Sequence, residues 1–389
     1  MRLRPPVTIE QRLQRPRWLA VAVPVGSLIL ALFVAAVVLV ATGHDPFSTY
    51  HQLFDAAFVQ SGSLDQTLIS ATPLAFTGLA AAAAFRMKLY NIGAEGQMYM
   101  GAITGAAAGL YLGGRGSASP LVIAAMVVAG CIGGMAWGLI PGILRAFFRT
   151  SEILTSLLLN YVAGLILTYL IFQSESYWRQ TQGFNAKVFP TGKPLPPSAI
   201  WPAISIHLQG RIMLPLGAGL AVLVAVFLWF LYNRTRFGFE AQVLGDSDRA
   251  ARYAGIRVRR KILAVMALSG AIAGLGGVSQ DGDFRHALDG DPNGLQKQGY
   301  GYTGIVVAAL GRYNPFAVVL IAFLIGGLQN AGAALQGPNF PSGLVGVIQG
   351  IILFCALGGE LLSRYRIRIR LGRSAPPPTT PVRVPEAAG

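Results

Sequence analysis

Charged residues and cysteines are both scarce in this chain. Only 12% of its 389 residues are Asp, Glu, Lys or Arg, whereas soluble domains carry roughly a quarter. A chain of this length with so few charges cannot cover a globular surface in water, so lipid must cover it instead. The two cysteines, Cys131 and Cys355, both lie in apolar runs, which excludes a disulfide framework and a cysteine-based zinc site.

Catalytic and metal-binding motifs are missing as well. The sequence has no G-x-x-x-x-G-K-[ST] phosphate loop, so we expect no ATP hydrolysis by the chain itself. It has no H-E-x-x-H and no G-x-S-x-G motif. Its four histidines, His44, His51, His207 and His286, show no metal-ligand spacing. We therefore expect a protein that is not an enzyme and that holds no metal and no cofactor.

Long apolar stretches dominate what is present. Hydrophobic residues make up 53% of the chain, and a helix of about 20 apolar residues crosses a bilayer. The first stretch follows five arginines but is longer than a signal-peptide core, so we interpret it as an uncleaved span. The eighth is too short to cross alone. The prediction is an all-α polytopic membrane protein with about ten transmembrane helices, at residues 18–42, 66–85, 96–114, 120–144, 153–172, 212–233, 262–280, 300–311, 315–335 and 342–359.

Basic residues are distributed unevenly between the predicted loops. If residues 1–17 are cytoplasmic, 24 of the 31 Lys and Arg residues fall on the cytoplasmic side, as the positive-inside rule requires. The net charge of +15 therefore indicates membrane topology and not nucleic-acid binding. The predicted transmembrane domain is 18–362, with an extracytoplasmic loop at 173–210 and a cytoplasmic loop at 234–261. The basic, Pro-rich tail, 363–389, is predicted to be cytoplasmic and disordered.

The two halves of the membrane domain show a similar organisation. Residues 66–172 and 262–359 each hold about four spans that start on opposite sides of the membrane. Each half has a Gly-rich polar interruption, YNIGAEGQ in the first and QGYGYTG in the second. Inverted repeats with broken helices are a common transporter design, so we predict one here. Glycines at every fourth position of 130–138 indicate close helix packing.

Several polar side chains fall within or beside apolar spans. Asn91, Glu95 and Gln97 lie among glycines, and polar groups at membrane depth are costly unless they are paired or face a cavity. The segment is either a helix break beside a translocation pathway or a short cytoplasmic turn. Asn160 falls mid-span beside Tyr161 and either lines the pathway or forms an interhelical hydrogen bond. We assign all five to a possible substrate pathway.

Four motifs together resemble one transporter family. YNIGAEGQ (90–97), SEILTSLLLNYVA (151–163), LGDSDRAARYAGI (244–256) and GYTGIVVAALGRYNP (301–315) resemble segments of ABC importer permeases of the branched-chain amino acid, ribose and nucleoside type. The motifs occur in the order found in that family and extend over about 66–359. The long outer loop is most similar to the larger permease of nucleoside and simple-sugar importers.

This resemblance implies a permease subunit of a binding-protein-dependent importer in the bacterial inner membrane. The implied partners are cytoplasmic ATPases that hold ATP and Mg, an extracytoplasmic substrate-binding protein, and a second permease that is a paralogue or another copy of this chain. Of the substrates that the resemblance suggests, we expect nucleosides, with simple sugars as the alternative. An ion-coupled secondary transporter is the main competing hypothesis, although it usually carries an intramembrane carboxylate, and here only Glu95 and Glu152 come near.

The cytoplasmic loop at 234–261 has the features of a short capped helix. Asp246 or Ser247 can cap its start and Asp248 suits its first turn, while Gly255 can end it in a left-handed conformation. We expect Ala250, Ala251 and Ala254 on its surface. The loop is either a plain basic connector or, as the resemblance implies, a coupling helix that docks on the ATPase through Asp246, Arg249, Ala250, Ala251, Arg252, Tyr253 and Gly255.

Overall fold

The computed structural model describes residues 7–11, 19–173, 175–182, 186, 190–207, 211–288, 290, 299–336 and 342–369. Helices account for most of these residues, as the sequence predicts. In chain order they are α1 (Leu19–Ala41), α2 (Pro46–Phe54), α3 (Ser63–Phe85), α4 (Ala94–Gly113), α5 (Ser119–Phe148), α6 (Glu152–Thr168), α7 (Leu216–Arg234), α8 (Arg236–Asp246), α9 (Asp248–Tyr253), α10 (Val258–Ser279), α11 (Tyr300–Leu310), α12 (Pro315–Ala334) and α13 (Ser342–Arg364).

A helix overlaps each of the ten predicted spans, but the count of ten crossings is not established. In the described part of the chain, six helices are long and apolar enough to cross a membrane, namely α3, α5, α6, α7, α10 and α12. A bent pair, Val25–Ala41 with Pro46–Val59, would make a seventh if it formed one span. α11 has only 11 residues, in agreement with the prediction that this segment is too short to cross alone.

Two small antiparallel sheets were not expected from the sequence. Strand β1 (Val7–Gln11) pairs with β4 (Tyr365–Ile369), and β2 (Ala203–His207) pairs with β3 (Arg211–Pro215). The predicted span 212–233 was therefore wrong at its start, because β3 occupies its first residues. α7 begins only after Pro215. Most of the Pro-rich tail, from residue 370, and residues 1–6 and 12–18 lie outside the described residues.

Helices α4, α5 and α10 meet backbone to backbone at glycines. A Cβ on Gly134 of α5 would lie 2.2 Å from the Gly270 carbonyl oxygen of α10, and one on Gly274 would lie 2.2 Å from the carbonyl oxygen of Gly130. A Cβ on Gly101 of α4 would lie 2.3 Å from the Gly274 Cα. No real side chain fits at such distances, which confirms that the regularly spaced glycines of α5 serve helix packing.

The helices around this glycine junction differ in their packing partners and in how deeply they are buried. α10 packs along α5, and α12 packs along α3. α3 is buried over most of its length, whereas α6 and α7 have only a minority of fully buried residues and each presents an exposed face. The exposed faces of α6 and α7 are thus available to lipid or to another subunit.

Candidate functional site

A non-helical link of eight residues, 86–93, joins α3 to α4 and contains the first half of the Gly-rich segment 90–97. Lys88 adopts a left-handed conformation, with φ of 55°, and the Leu89 amide donates back to the Ala84 carbonyl at 3.3 Å. Gly93 is the N-cap of α4. Of the polar residues predicted in the break, only Asn91 lies in it, because Glu95 belongs to the first turn of α4.

Asn91 is fully buried and uses both ends of its amide. Its Nδ2 donates to Gln97 Oε1 at 3.0 Å and to Ser269 Oγ of α10 at 2.9 Å. Its Oδ1 accepts from the Gly93 amide at 2.9 Å and from Gln97 Nε2 at 3.1 Å. Ser269 in turn donates to the Ala80 carbonyl of α3 at 2.8 Å. The link is therefore tied to α3, α4 and α10 through one satisfied polar network.

Asn160 of α6 holds the start of α4 from the other side. Its Oδ1 accepts from the Gly96 amide at 2.9 Å, and its Nδ2 donates to the Ile92 carbonyl at 2.8 Å. Ser156, one turn earlier, accepts from the Ile92 amide at 3.1 Å. The first amides of a helix have no partner within the helix, so Asn160 supplies an acceptor for one of them, Gly96, while Ser156 binds the link just before the helix. The interhelical interpretation of Asn160 accounts for these contacts.

Glu95 connects α4 to α11. Its buried carboxylate accepts hydrogen bonds from the Tyr99 hydroxyl and from the Gly301 backbone amide. A Cβ on Gly301 would lie 2.3 Å from the Glu95 amide nitrogen, so only glycine permits this approach. The two Gly-rich interruptions that the sequence places 200 residues apart meet at this point.

Tyr161 differs from the other four residues assigned to the pathway. Its side chain is 65% exposed, whereas Asn91, Glu95, Gln97 and Asn160 are buried within the chain. The hydroxyl of Tyr302, on α11, contacts Asn160 Nδ2 at 3.3 Å, and the Tyr302 side chain is 40% exposed. The structure thus separates a buried network from an exposed tyrosine pair.

Four members of this site were not identified from the sequence, and Tyr99, which follows the Gly-rich segment, is one of them. Tyr302 lies in the family-like motif at 301–315, and its place in that motif could have identified it as a site residue. Ser156 also lies in a quoted motif. Ser269 has no such signal, because a serine in an apolar span is common and nothing local relates it to Asn91.

The short helix predicted within 234–261 is present as α9, and of the two candidate caps it uses Ser247. Ser247 is its N-cap, and its Oγ accepts from the Ala250 amide at 3.2 Å. Asp248 in the first turn pairs with Arg252 at 2.7 Å. Gly255 follows with φ of 73°, in the left-handed region that favours glycine. α9 has six residues, slightly less than two turns.

The exposed face of α9 differs from the prediction in one residue. Ala251, expected on the surface, is fully buried, because this side of the short helix turns toward the rest of the chain. Ala250 and Ala254 are exposed, as expected, and so is Arg249. Tyr253 is 93% exposed, so it is the largest apolar group that this helix offers to a partner.

The link before α4 and the end of α8, just before α9, touch each other. Lys88 Nζ lies 3.0 Å from Asp246 Oδ1, and a Cβ on Gly245 would lie 3.2 Å from the Arg86 carbonyl oxygen. Arg86 itself lies over the ring of Tyr232 on α7, 5.1 Å from its centroid. The link before α4 and the end of α8, which are far apart in the sequence, are therefore neighbours in space.

Known proteins resemble this chain over most of its length. Residues 63–357 match the family described as branched-chain amino acid transport system, permease component. The glucose ABC transporter permease protein TsgB13 of Haloferax volcanii is 33% identical over 96% of this chain and 97% of its own length. The guanosine ABC transporter permease protein NupP of Bacillus subtilis is 34% identical over 90% of this chain and 95% of its own.

A third relative extends the comparison. The nucleoside ABC transporter permease protein NupB of Lactococcus lactis is 30% identical over 86% of this chain and 90% of its own length. Permeases of this kind span the membrane and are not enzymes, and they work with a separate ATPase and a substrate-binding protein. The ion-coupled alternative is thereby excluded. The chain belongs to the family of branched-chain amino acid transport system permease components and is a membrane-spanning subunit of an ABC transporter.

Proposed function

We propose that this chain is one of two permease subunits of an importer for nucleosides, with its pathway at the exposed tyrosine pair of α6 and α11. The observation that carries the proposal is the position of Tyr161 and Tyr302 on the surface, directly beside the buried network that holds α4. A pathway between two subunits must be lined by residues that each subunit exposes. Two of the relatives named above carry guanosine or nucleoside in their names.

The chemistry of the pair suits a nucleoside. Aromatic side chains stack on the planar face of a base, and a phenol hydroxyl can also hydrogen-bond to a ribose or to a base edge. Tyr302 is held at its hydroxyl by Asn160, so its ring is positioned before any substrate arrives. In this proposal Asn91, Glu95, Gln97 and Asn160 belong to the pathway because they fix the backbone beside it.

A simple sugar is the second substrate class. The relative from Haloferax volcanii is named for glucose, and aromatic rings also contact sugars. The two classes differ in what the tyrosines contribute, since a base offers a full aromatic face and a sugar does not. Loss of an aromatic ring should therefore reduce nucleoside transport more than sugar transport.

We further propose that α9 is the coupling helix, which docks on an ATPase that holds ATP and Mg. Its exposed residues, Arg249, Ala250 and Tyr253, would contact the partner. The residues that shape the helix and its ends would maintain that face, namely Asp246, Ala251, Arg252 and Gly255. The contact between Lys88 and Asp246 then gives movement of α9 a direct route to the link before α4.

The membrane arrangement is also part of the proposal. We propose ten crossings, both termini cytoplasmic, an inverted repeat, and a second permease that is a paralogue or another copy. In such a repeat, α3 and α5 of the first half correspond to α10 and α12 of the second half. The packing of α10 along α5 and of α12 along α3 supports the repeat, because the first helix of each half then packs against the third helix of the other half. Reporter fusions at Gly192 and Ser374 should report opposite sides of the inner membrane, and a common side would reject the orientation.

Uptake by the reconstituted importer tests the substrate. The complex of both permeases, the ATPase and the binding protein is placed in vesicles, and ATP-dependent uptake of labelled guanosine, ribose and glucose is measured. We expect guanosine uptake in the wild type, a loss of about tenfold in Tyr161→Ala, consistent with 1–3 kcal/mol for one stacked base, and near-normal uptake in Tyr161→Phe. Tyr169→Ala, at an exposed tyrosine further along the same chain segment, is the matched control. Uptake of sugars without guanosine would establish the second class.

A further inference from the structure

A large cavity opens beside α9, and part of its wall, at Asp246, Arg249 and Arg252, belongs to the proposed ATPase contact. Its volume is about 1110 Å³, which exceeds that of typical small-ligand pockets. Its walls come from the link before α4, the end of α5, the end of α8, α9, and the start of α10. Five elements of the chain therefore line the cavity.

The walls of this cavity are strongly basic. Eight Lys and Arg side chains line it, against two carboxylates, Asp246 and Asp248. Three of the eight have acidic partners, through the ion pairs Lys88–Asp246, Arg145–Glu152 and Arg252–Asp248. For the other five no ion pair exists within the described residues, and these are Arg149, Arg249, Arg257, Arg259 and Arg260.

The backbone adds to this positive charge. α10 begins at Val258 on the cavity wall, and its N-cap residue, Arg257, makes no side-chain capping hydrogen bond. The first amides of a helix lack intrahelical partners, and the helix dipole places positive charge there. Ser, Thr, Asp and Asn are preferred at a helix start because their side chains supply an acceptor, but here the cap residue supplies a cation. An anionic ligand would satisfy both the amides and the guanidinium groups.

The cavity borders the apolar surface of the protein. Phe147 lines it and Phe148 follows at the end of α5, and their side chains are 51% and 71% exposed. The guanidinium of Arg259 lies over the Phe147 ring, 5.2 Å from its centroid. An apolar helix end next to a basic hollow is the arrangement expected where acyl chains give way to headgroups. Basic pockets of this kind on the cytoplasmic side bind anionic headgroups.

We propose that this cavity binds the phosphate of an anionic phospholipid headgroup, with Arg149, Arg257 and Arg260 as its main ligands. The cytoplasmic placement rests on the proposed orientation, but the binding itself does not. An acidic surface of the ATPase is the other class of partner with the right charge. The recessed shape favours a headgroup, because a protein surface would meet the protruding face of α9 first.

Native mass spectrometry of the purified, delipidated chain tests the site without any ATPase or transport substrate. Dioleoyl phosphatidylglycerol and dioleoyl phosphatidylcholine are titrated separately into wild type and into the triple variant Arg149→Gln, Arg257→Gln, Arg260→Gln. The matched control removes three exposed arginines outside the cavity, Arg234→Gln, Arg236→Gln and Arg312→Gln. We expect the cavity variant to lose phosphatidylglycerol affinity by about tenfold or more and the control to keep it.

Three results would overturn the proposal. Equal retention of both lipids by the wild type would show that charge is not recognised. Retention of glycerol phosphate without phosphatidylglycerol would assign the site to a soluble phosphate compound. Unchanged lipid affinity in the cavity variant, together with loss of the ATPase when the whole complex is purified in a separate experiment, would assign the arginines to the protein partner. If the triple variant is not recovered, the single variants Arg149→Gln and Arg257→Gln should each lose affinity several-fold.

Discussion

Asn160 of α6 and Gly96 of α4 are joined by a 2.9 Å hydrogen bond, in which Asn160 Oδ1 accepts the Gly96 amide proton. The other end of the same side chain donates to the Ile92 carbonyl at 2.8 Å. One buried amide thus holds backbone on both sides of Gly93, where the chain changes from link to helix. Among neutral side chains, only the amides of Asn and Gln offer a donor and an acceptor in this geometry.

The first prediction concerns this clamp. Asn160→Leu leaves the Gly96 amide and the Ile92 carbonyl without their partner, and each unsatisfied buried group costs about 1–3 kcal/mol. We expect a lower melting temperature in a thermal-shift assay and loss of uptake. Leu158→Ala, at a 63% exposed position on the same helix, is the control and should change neither quantity. An unaltered melting temperature in Asn160→Leu would contradict the clamp.

The second prediction concerns the N-cap of α4. A Cβ on Gly93 would lie 2.9 Å from Asn91 Oδ1, 3.0 Å from Gln97 Nε2 and 3.0 Å from the Ser156 Cβ. Gly93→Leu should therefore force the network apart and abolish uptake, while the protein still inserts in the membrane. Overpacking of this kind costs about 1–3 kcal/mol, which a membrane protein of this size should survive.

Gly219→Leu is the matched control for this change, since a Cβ on Gly219 meets nothing within 4 Å. Uptake by that variant should be normal. Wild-type uptake by Gly93→Leu would show that the close packing at the start of α4 is not needed for transport.

Sequence reasoning succeeded where local chemistry decides the structure. The Ser247 cap and the Gly255 exit of α9 depend only on neighbouring residues, so both could be predicted. The contact of Asn91 with Ser269 joins residues 178 positions apart, and no local pattern indicates it. The burial of Ala251 likewise depends on where distant parts of the chain lie, and an alanine is equally suited to a surface and to a tight contact.

The third prediction concerns the ion pair between Lys88, in the link before α4, and Asp246, at the end of α8. The Lys88 and Asp246 side chains are 58% and 68% exposed, and exposed ion pairs contribute only about 0–1 kcal/mol to stability. Asp246→Lys should therefore leave the melting temperature unchanged. If the pair transmits movement, substrate-stimulated ATP hydrolysis should fall several-fold. The double change Lys88→Asp, Asp246→Lys should restore it, and failure to restore would assign the effect to Asp246 alone.

The fourth prediction separates the two sides of α9. Tyr253→Ala removes a 93% exposed ring, so the protein should remain stable while substrate-stimulated ATP hydrolysis is lost. Ala251→Trp places a large ring at a fully buried position and should lower the yield of folded protein. Size-exclusion chromatography and an ATPase assay distinguish the two results. Normal coupling in Tyr253→Ala would mean that the ATPase docks elsewhere.

The glycine junction of α4, α5 and α10 limits how the transporter can change shape. Where backbones touch directly, no side chain can repack to let one helix slide past another. We therefore expect these three helices to turn together as one rigid block during alternating access, with the hinges outside them. A short cross-link between α5 and α10 should then leave uptake intact. The three helices would move as one rigid body, so the bending of the subunit during transport should occur in the segments that flank them.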